Sequence, residues 1–340
     1  MARTAPGRGD GSATVRDVAR LAGVSAITVS RALNTPARLA PDTLERVLDA
    51  IRQTGYVPNL LAGGLRSAKS RLVAAVVPTI AGPVFLDTIQ ALTDALDRHG
   101  YQLMLGQAGY RDSREDALID AIIGRRPTGI VLTGMMHSAG GRRRLINSGI
   151  PVVETWDLTP TPIDMLVGFS HERIGEAVAE FLHARGRKHL ALIGGDDSRA
   201  ARRAAGFQQA CTRLGIAAGS VPVERVPAPT TLASGRSGLA RLLAAHPAVD
   251  AIFASSDLLA LGVMMEAQAR GLAVPERLAI VGFGDLSLLA GVTPALTTVR
   301  IDGTRMGRMA ASFIIDRAEG REVAERVVDV GFSIVERESA

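Results

Sequence analysis

The stretch TVRDVARLAGVSAITVSRALN, residues 14–34, decides how this chain is read. Thr14 is placed to cap a helix, and Asp17 three residues on favours the positive helix end. Val18, Leu21 and Ala22 mark an apolar face. Gly23-Val24 ends the helix after about two turns, because glycine readily takes the left-handed conformation at a helix end. Ser25 then caps a second short helix, 26–33, with Val29, Ala32 and Leu33 facing inward. Two short helices joined by a glycine-containing turn of about three residues form a helix-turn-helix. The second helix is small enough to enter the major groove of B-DNA, where its N-terminal residues reach base edges first. The candidate DNA contacts are Thr14 and Val15 at the head of the first helix, then Ser25, Ala26, Ile27, Thr28, Ser30 and Arg31 on the second. Ala26 and Ile27 cannot hydrogen-bond through their side chains, so they would pack on thymine methyls. An αα-hairpin that only packs is the alternative this pattern alone leaves open.

A third helix closes the core. Pro41 sits in its first turn, Asp42 and Glu45 lie near its N-terminal end, and Leu44, Val47, Leu48 and Ile51 recur at i, i+3, i+4 and i+7 before Gly55 stops it. Residues 1–70 carry ten basic and five acidic side chains, an excess equal to the +5 of the whole chain. A basic module on a neutral body suggests a polyanion contact at one end.

The order D-V-A-x-x-A-G-V-S-x-x-T-V-S-R-x-L-N, followed by Tyr56-Val57-Pro58-Asn59 and Ala62-Gly63-Gly64-Leu65, resembles the LacI/GalR family of bacterial transcription regulators. The resemblance continues over nearly the whole chain. It implies that Asn59, Ala62 and Leu65 belong to a hinge helix that folds on operator DNA. Two hinges of a dimer would enter the minor groove, with Leu65 wedged into a central base step, as apolar wedges do when they kink DNA. Gly63 and Gly64 each cost about 1 kcal/mol relative to alanine in a helix interior, so the free hinge is expected to be disordered. The expected division is a disordered tail at 1–13, a DNA-binding domain at 14–58, a hinge at 59–70 and an effector-binding, dimerising core at 71–340.

Beyond residue 71 short apolar runs alternate with amphipathic segments. Strands are expected at 72–77, 102–105, 129–132, 151–153, 189–193, 251–254 and 278–281, with helices such as 84–99, 172–185, 202–214 and 258–270 between them. Such alternation means an α/β fold of parallel sheets covered by helices, and ligands bind such sheets at the carboxyl ends of the strands. The resemblance implies a two-lobed core like that of periplasmic sugar-binding proteins. The first lobe would be 71–166 plus 300–328, the second 167–299, with crossings near 166–168, 296–301 and the C-terminal strand.

The same resemblance suggests cleft residues. Phe85, just past the first strand, matches an aromatic that stacks on a ligand ring, and a core position is its equal alternative. Arg203 matches the family's effector-contacting arginine, and a guanidinium there can bind a carboxylate bidentately. Arg199 lies one turn earlier, within reach of the same site or simply solvated, whereas Arg202 should point elsewhere. Ser256 stands where the family usually has a ligand-binding asparagine, and Asp257 is expected to be the helix cap. Gly284 replaces a sugar-gripping aspartate, and Asp285, next to it, is the candidate effector contact there. Gly109-Tyr110, Leu132-Thr133 with His137 beyond, residues 149–154, Val167-Gly168-Phe169 and Gly331-Phe332 resemble the gluconate-operon branch. That implies a sugar acid such as gluconate as effector, with Arg203 and Arg199 or His137 on its carboxylate and Glu154, Asp157 and Ser170 on its hydroxyls.

The composition narrows the alternatives. The 340 residues should form two to three domains at ~100–200 residues each. Hydrophobic residues at 47% and charged residues at 21% describe a globular chain. The run at 72–77 is far short of the ~20 apolar residues that cross a bilayer, and the basic N-terminus lacks the apolar segment of a secretory signal. A cytoplasmic protein without membrane contact is expected. The single cysteine, Cys211, excludes an internal disulfide and a multi-cysteine zinc site, and neither cofactor nor metal is implied. There is no G-x-S-x-G elbow, P-loop or dinucleotide fingerprint to support an enzyme. A sugar-binding protein without DNA role would not need the front module, and a corepressor-dependent regulator stays open. With no leucine heptads after Gly331, a homodimer and not a tetramer is expected.

Overall fold

Local capping builds the front of the molecule. Thr14 accepts the Asp17 N–H while Asp17 Oδ2 accepts the Thr14 N–H at 3.0 Å, and this reciprocal pair starts α1 (Val15–Ala22). Gly23, at φ 66°, ends it in the left-handed region where a side chain would be strained. Ser25 accepts the Thr28 N–H at 3.1 Å and starts α2 (Ala26–Asn34). Pro41 opens α3 (Pro41–Thr54). Val18, Val29 and Val47 meet with no exposed surface and form the centre of this unit. Two expected core positions differ. Leu21 is 52% exposed and Leu48 38% exposed, and the smaller Ala19 and Ala50 take the inner positions. Three short helices approach closely only through small side chains.

The computed structural model describes residues 13–57, 70–80, 82–109, 112–135, 138–217 and 219–340. The chain divides into two units, Met1–Lys69 and Ser70–Ala340. The expected hinge residues Asn59, Ala62 and Leu65, the tail 1–12 and His137 lie outside the described residues.

The larger unit is two α/β lobes. The first begins β1 (Leu72–Val77), α4 (Leu86–Arg98), β2 (Gln102–Gln107), α5 (Asp112–Gly124), β3 (Gly129–Thr133), α6 (Ala139–Ser148), β4 (Val152–Thr155) and β5 (Met165–Gly168). The second takes α7 (His171–Ala184), β6 (Leu190–Gly195), α8 (Ser198–Arg213), β7 (Val223–Val226), α9 (Leu232–Ala245), β8 (Ala251–Ala254), α10 (Asp257–Ala269), β9 (Ala279–Phe283) and β10 (Thr297–Arg300). The chain then returns to the first lobe with α11 (Gly303–Ala318) and β11 (Val327–Asp329) and finishes in the second with β12 (Ser333–Val335).

The two sheets have the same plan, β11-β5-β4-β3-β1-β2 and β12-β10-β9-β8-β6-β7. Every described pairing is parallel except β10 with β12. Both faces of each sheet are covered, as parallel strands require. Along β1, Val73 and Ala75 point to one apolar cluster and Ala74 and Val76 to another. The expected lobe boundary at 166 falls inside β5, which pairs with β4 and β11 through Gly168, so the first crossing lies after Gly168. The C-terminal segment is stapled to the second lobe: Ser339 is fully buried and its Oγ donates to the Ile280 carbonyl at 2.6 Å.

Candidate DNA-binding face and ligand cleft

On α2 the residues Ala26, Ile27, Ser30 and Arg31 are exposed, and Ile27 keeps 66% of its surface free. Thr28 is half-buried, with its hydroxyl 2.9 Å from that of Ser25, so both belong to the cap as well as to the exposed helix start. Thr14 is exposed at the head of α1. Val15 packs against the core of the unit, which leaves its backbone and not its side chain at the helix start.

In the larger unit the cleft lies at the carboxyl ends of both sheets. Phe85 ends a 3-10 turn, Pro83–Phe85, and meets Trp156 edge to face at 5.0 Å between ring centroids. Trp156 follows β4 in the left-handed region at φ 63°, a sparsely populated conformation for a bulky residue. Its Nε1–H donates to Thr88 Oγ1 at 3.1 Å, and its ring also meets Phe169 at 5.6 Å. Phe85 and Trp156, with Arg203, Ser256 and Phe283 of the second lobe, line a cavity of about 90 Å³. A second cavity of about 450 Å³ opens beside it, at the ends of β1 and β3. Arg199 lines both.

Arg203 is 5% exposed and held on several sides. Its Nη1 donates to His171 Nδ1 at 2.9 Å, its Nη2 donates to the Ser255 carbonyl at 3.1 Å, and its guanidinium carbon lies 4.3 Å from the Phe283 ring centre. His171 in turn donates from Nε2 to the Trp156 carbonyl at 3.0 Å, so its tautomer follows from its partners. Burial, followed by the charges of Arg203, Arg199 and Arg202, holds the His171 pKa well below the usual histidine value, and the ring is neutral.

Asp157 lines the larger cavity and is ion-paired with Arg202, which also donates to Glu172. Arg202 thus does point away from Arg203, but it ties the residue after Trp156 to α7. Burial pushes the Asp157 pKa up despite Arg202. At the head of α10 the cap falls one residue earlier than expected. Ser256 is the cap, accepting the Leu259 N–H at 3.3 Å, and it also faces the smaller cavity. Asp257 occupies the first helical position and uses both oxygens elsewhere, accepting the Thr298 hydroxyl at 2.6 Å and the Leu286 N–H at 2.7 Å. Burial raises its pKa to about 6.

Phe85, Arg199, Arg203 and Ser256 therefore come together, with Asp157 in the adjoining cavity. Three expected contacts line neither cavity. Glu154 is 1% exposed on β4 and accepts the Ile163 N–H at 2.7 Å. Ser170 caps α7 through the Arg173 N–H. Asp285 is claimed by Arg300 and Arg337, at 2.5 and 2.6 Å. Its partial burial is outweighed by those two guanidiniums, which hold its pKa below the usual value. Trp156, His171 and Phe283 were not singled out from the sequence, although Trp156 is the single tryptophan and stands next to Asp157.

A helix-turn-helix unit joined to a two-lobed cleft defines a ligand-responsive, DNA-binding transcriptional regulator, and the chain belongs to the LacI family. Residues 14–59 match the bacterial regulatory proteins of the lacI family, and residues 179–340 match the periplasmic binding protein-like domain. The chain is 39% identical over 333 residues to the HTH-type transcriptional regulator GntR of Pseudomonas aeruginosa, covering 98% of this chain and 97% of that one. It is 29% identical over 314 residues to the HTH-type transcriptional repressor CytR of Escherichia coli, covering 92% of each. A LacI family regulator from Silicibacter pomeroyi superimposes with a TM-score of 0.90 at 30% identity, over 96% of this chain and 99% of that one. These relatives are regulators and not enzymes. No helix among the described residues is long and apolar enough to cross a membrane.

Proposed function

We propose that this regulator represses genes for the use of a sugar acid of the gluconate type and acts in the cytoplasm by binding alone, without catalytic turnover. Residues 14–58 bind operator DNA, 59–70 form the hinge and 71–340 bind the effector and a second copy of the chain. Phosphate contacts supply affinity, while Ala26, Ile27, Ser30 and Arg31 of each subunit read bases and Leu65 wedges the minor groove. The effector lies between the lobes, against Phe85 on one side and Arg199, Arg203 and Ser256 on the other. Its binding favours the DNA-free arrangement, and repression lifts by a shift of population.

The observation that carries this reading is a cleft with two arginines of one helix set opposite an aromatic wall. Cations suit a carboxylate, and aromatic rings suit the apolar face of a sugar chain. The 29% identity to a repressor supports the sign of the response. A gel-shift titration against the upstream region of its own gene tests it. The expected result is a specific complex that gluconate or another aldonate dissolves. A complex indifferent to sugar acids but dissolved by a neutral sugar would overturn the effector class. No preference for that DNA over scrambled competitor would overturn the repressor reading.

A further inference from the structure

Two arginines one helical turn apart on α8 face the cleft, and they are not equivalent. Arg203 is already engaged by His171, the Ser255 carbonyl and the face of Phe283. A ligand carboxylate on Arg203 would have to displace a buried neutral imidazole or a backbone carbonyl. Arg199 is different. Its Nη1 is shielded from solvent and has no hydrogen-bond partner, and its guanidinium makes no ion pair among the described residues. It extends from the second lobe toward the first, with its guanidinium carbon 5.4 Å from the Phe85 ring centre. A Cβ at Gly134, just past β3, would stand 3.7 Å from its Nη1. A shielded donor without a partner is an unstable arrangement unless something supplies an acceptor.

The larger cavity that Arg199 borders says what that acceptor is attached to. Four carboxylates line it, Glu115, Asp157, Asp196 and Asp197. Asp157 is neutralised by Arg202, Asp197 caps α8 through the Arg199 and Ala200 N–H groups, and Asp196 accepts the Ala228 N–H at 2.8 Å. None of these three is ion-paired with Arg199. Among the described residues the cavity thus offers one cation, Arg199, that makes no ion pair, and several oxygens able to accept hydroxyl hydrogens. A molecule with one carboxylate and many hydroxyls matches that arrangement, whereas a second anionic group would face carboxylates.

We infer that Arg199, not Arg203, receives the effector's carboxylate, and that the cleft selects monoanionic polyhydroxy acids against both neutral polyols and doubly anionic sugars. This rests on the sugar-acid reading above. Beside its place in the cleft wall, Arg203 holds His171 and through it the Trp156 backbone.

Calorimetric titration of the full-length protein tests the assignment with three probes: gluconate, glucitol, which is the same chain without the carboxylate, and gluconate 6-phosphate. The wild type should bind gluconate at least ~30-fold more tightly than glucitol, the size of one charge-assisted pair, and more tightly than the 6-phosphate. Arg199→Gln should bring gluconate to within about threefold of glucitol, with gluconate affinity falling far more than glucitol affinity changes. Arg203→Lys should weaken both probes alike and leave their ratio standing. Far-ultraviolet circular dichroism and the thermal midpoint establish that each variant is folded. Gluconate preference that survives in Arg199→Gln, or is lost in Arg203→Lys instead, overturns the assignment while the sugar-acid reading stands. A wild type that prefers no aldonate over its polyol overturns both.

Discussion

The two lobes share a strand order but not a chemistry. The fourth strand from β2 in one sheet and from β7 in the other is β4 and β9; Trp156 directly after β4, and Asp285 one residue further on after β9, are non-glycine residues in the left-handed region. Trp156 turns its ring into the cleft, whereas Asp285 turns its carboxylate to Arg300 and Arg337. The helix after the third strand starts on a serine cap in both lobes, Ser138 and Ser256, but the next residue is Ala139 in one and the buried Asp257 in the other. The first lobe thus gives the smaller cavity the Phe85 and Trp156 rings, and the second gives it charge together with Phe283. Equal topology fixes where side chains enter the cleft. It does not fix which side chains they are, and ligand selectivity can change by substitution at such positions without cost to the fold.

The most severe test concerns what the lobes have in common. Each packs at least one helix pair so closely that a glycine is needed at the contact, and the second lobe does so at both α7/α8 and α9/α10. A Cβ at Gly206 on α8 would lie 2.1 Å from the Glu172 carbonyl oxygen on α7, and one at Gly307 on α11 would lie 2.3 Å from the Thr88 carbonyl oxygen on α4. Both Gly206→Val and Gly307→Val should cost about 3 kcal/mol or more, because backbone cannot yield as a side-chain tip can. Urea unfolding of the two variants should show similar losses. Tolerance of one and not the other would mean that the lobes are not held together in the same way.

The next test separates them. Asp257 is an acid whose pKa is about 6 in the folded protein against 3.8 when free, because burial penalises its charge. A raised carboxyl pKa stabilises the fold fully below the unfolded value, and that contribution is lost as pH rises through about 6. Wild-type stability should therefore fall between pH 4 and pH 7 relative to Asp257→Asn, by on the order of 2 kcal/mol. Asparagine can still accept the Leu286 N–H. Parallel stability curves for the two proteins would mean that Asp257 is not the second lobe's titrating group.

The legible and illegible parts of the sequence divide by range. Thr14, Gly23 and Ser25 act within four residues of their own positions, so the front helices could be read from a short window. The buried strands β1, β6 and β8 are continuous apolar runs and were equally plain. By contrast β7 reads VERV and lies at a sheet edge, while β11 and β12 have three residues each, and no local pattern marks them. Asp285 stood next to an expected ligand position, but Arg337, 52 residues on, engages it. The role of Trp156 depends on Thr88, 68 residues away, and on a left-handed turn that no local propensity favours. Caps are decided by near neighbours, whereas the cleft is decided by which distant strands lie side by side.

The smallest expected effect returns to the paired positions after β4 and β9. Trp156→Phe keeps a ring in the aromatic wall but removes the Nε1–H that Thr88, itself 5% exposed, accepts. One such bond is worth about 1 kcal/mol, and the effector should bind several-fold more weakly because the wall is no longer fixed at that edge. Asp285→Asn removes charge from two ion pairs, one of them to the half-exposed Arg300, and should likewise cost about 1 kcal/mol. It should leave effector affinity within twofold, since Asp285 lines neither cavity. Thermal unfolding would then rank the two variants as equals, and only titration with gluconate would tell them apart. If Asp285→Asn instead weakened gluconate as much as Trp156→Phe did, the second lobe would be shaping the ligand through its rear ion pairs as well as through α8, and the division of labour drawn from the two left-handed residues would be wrong.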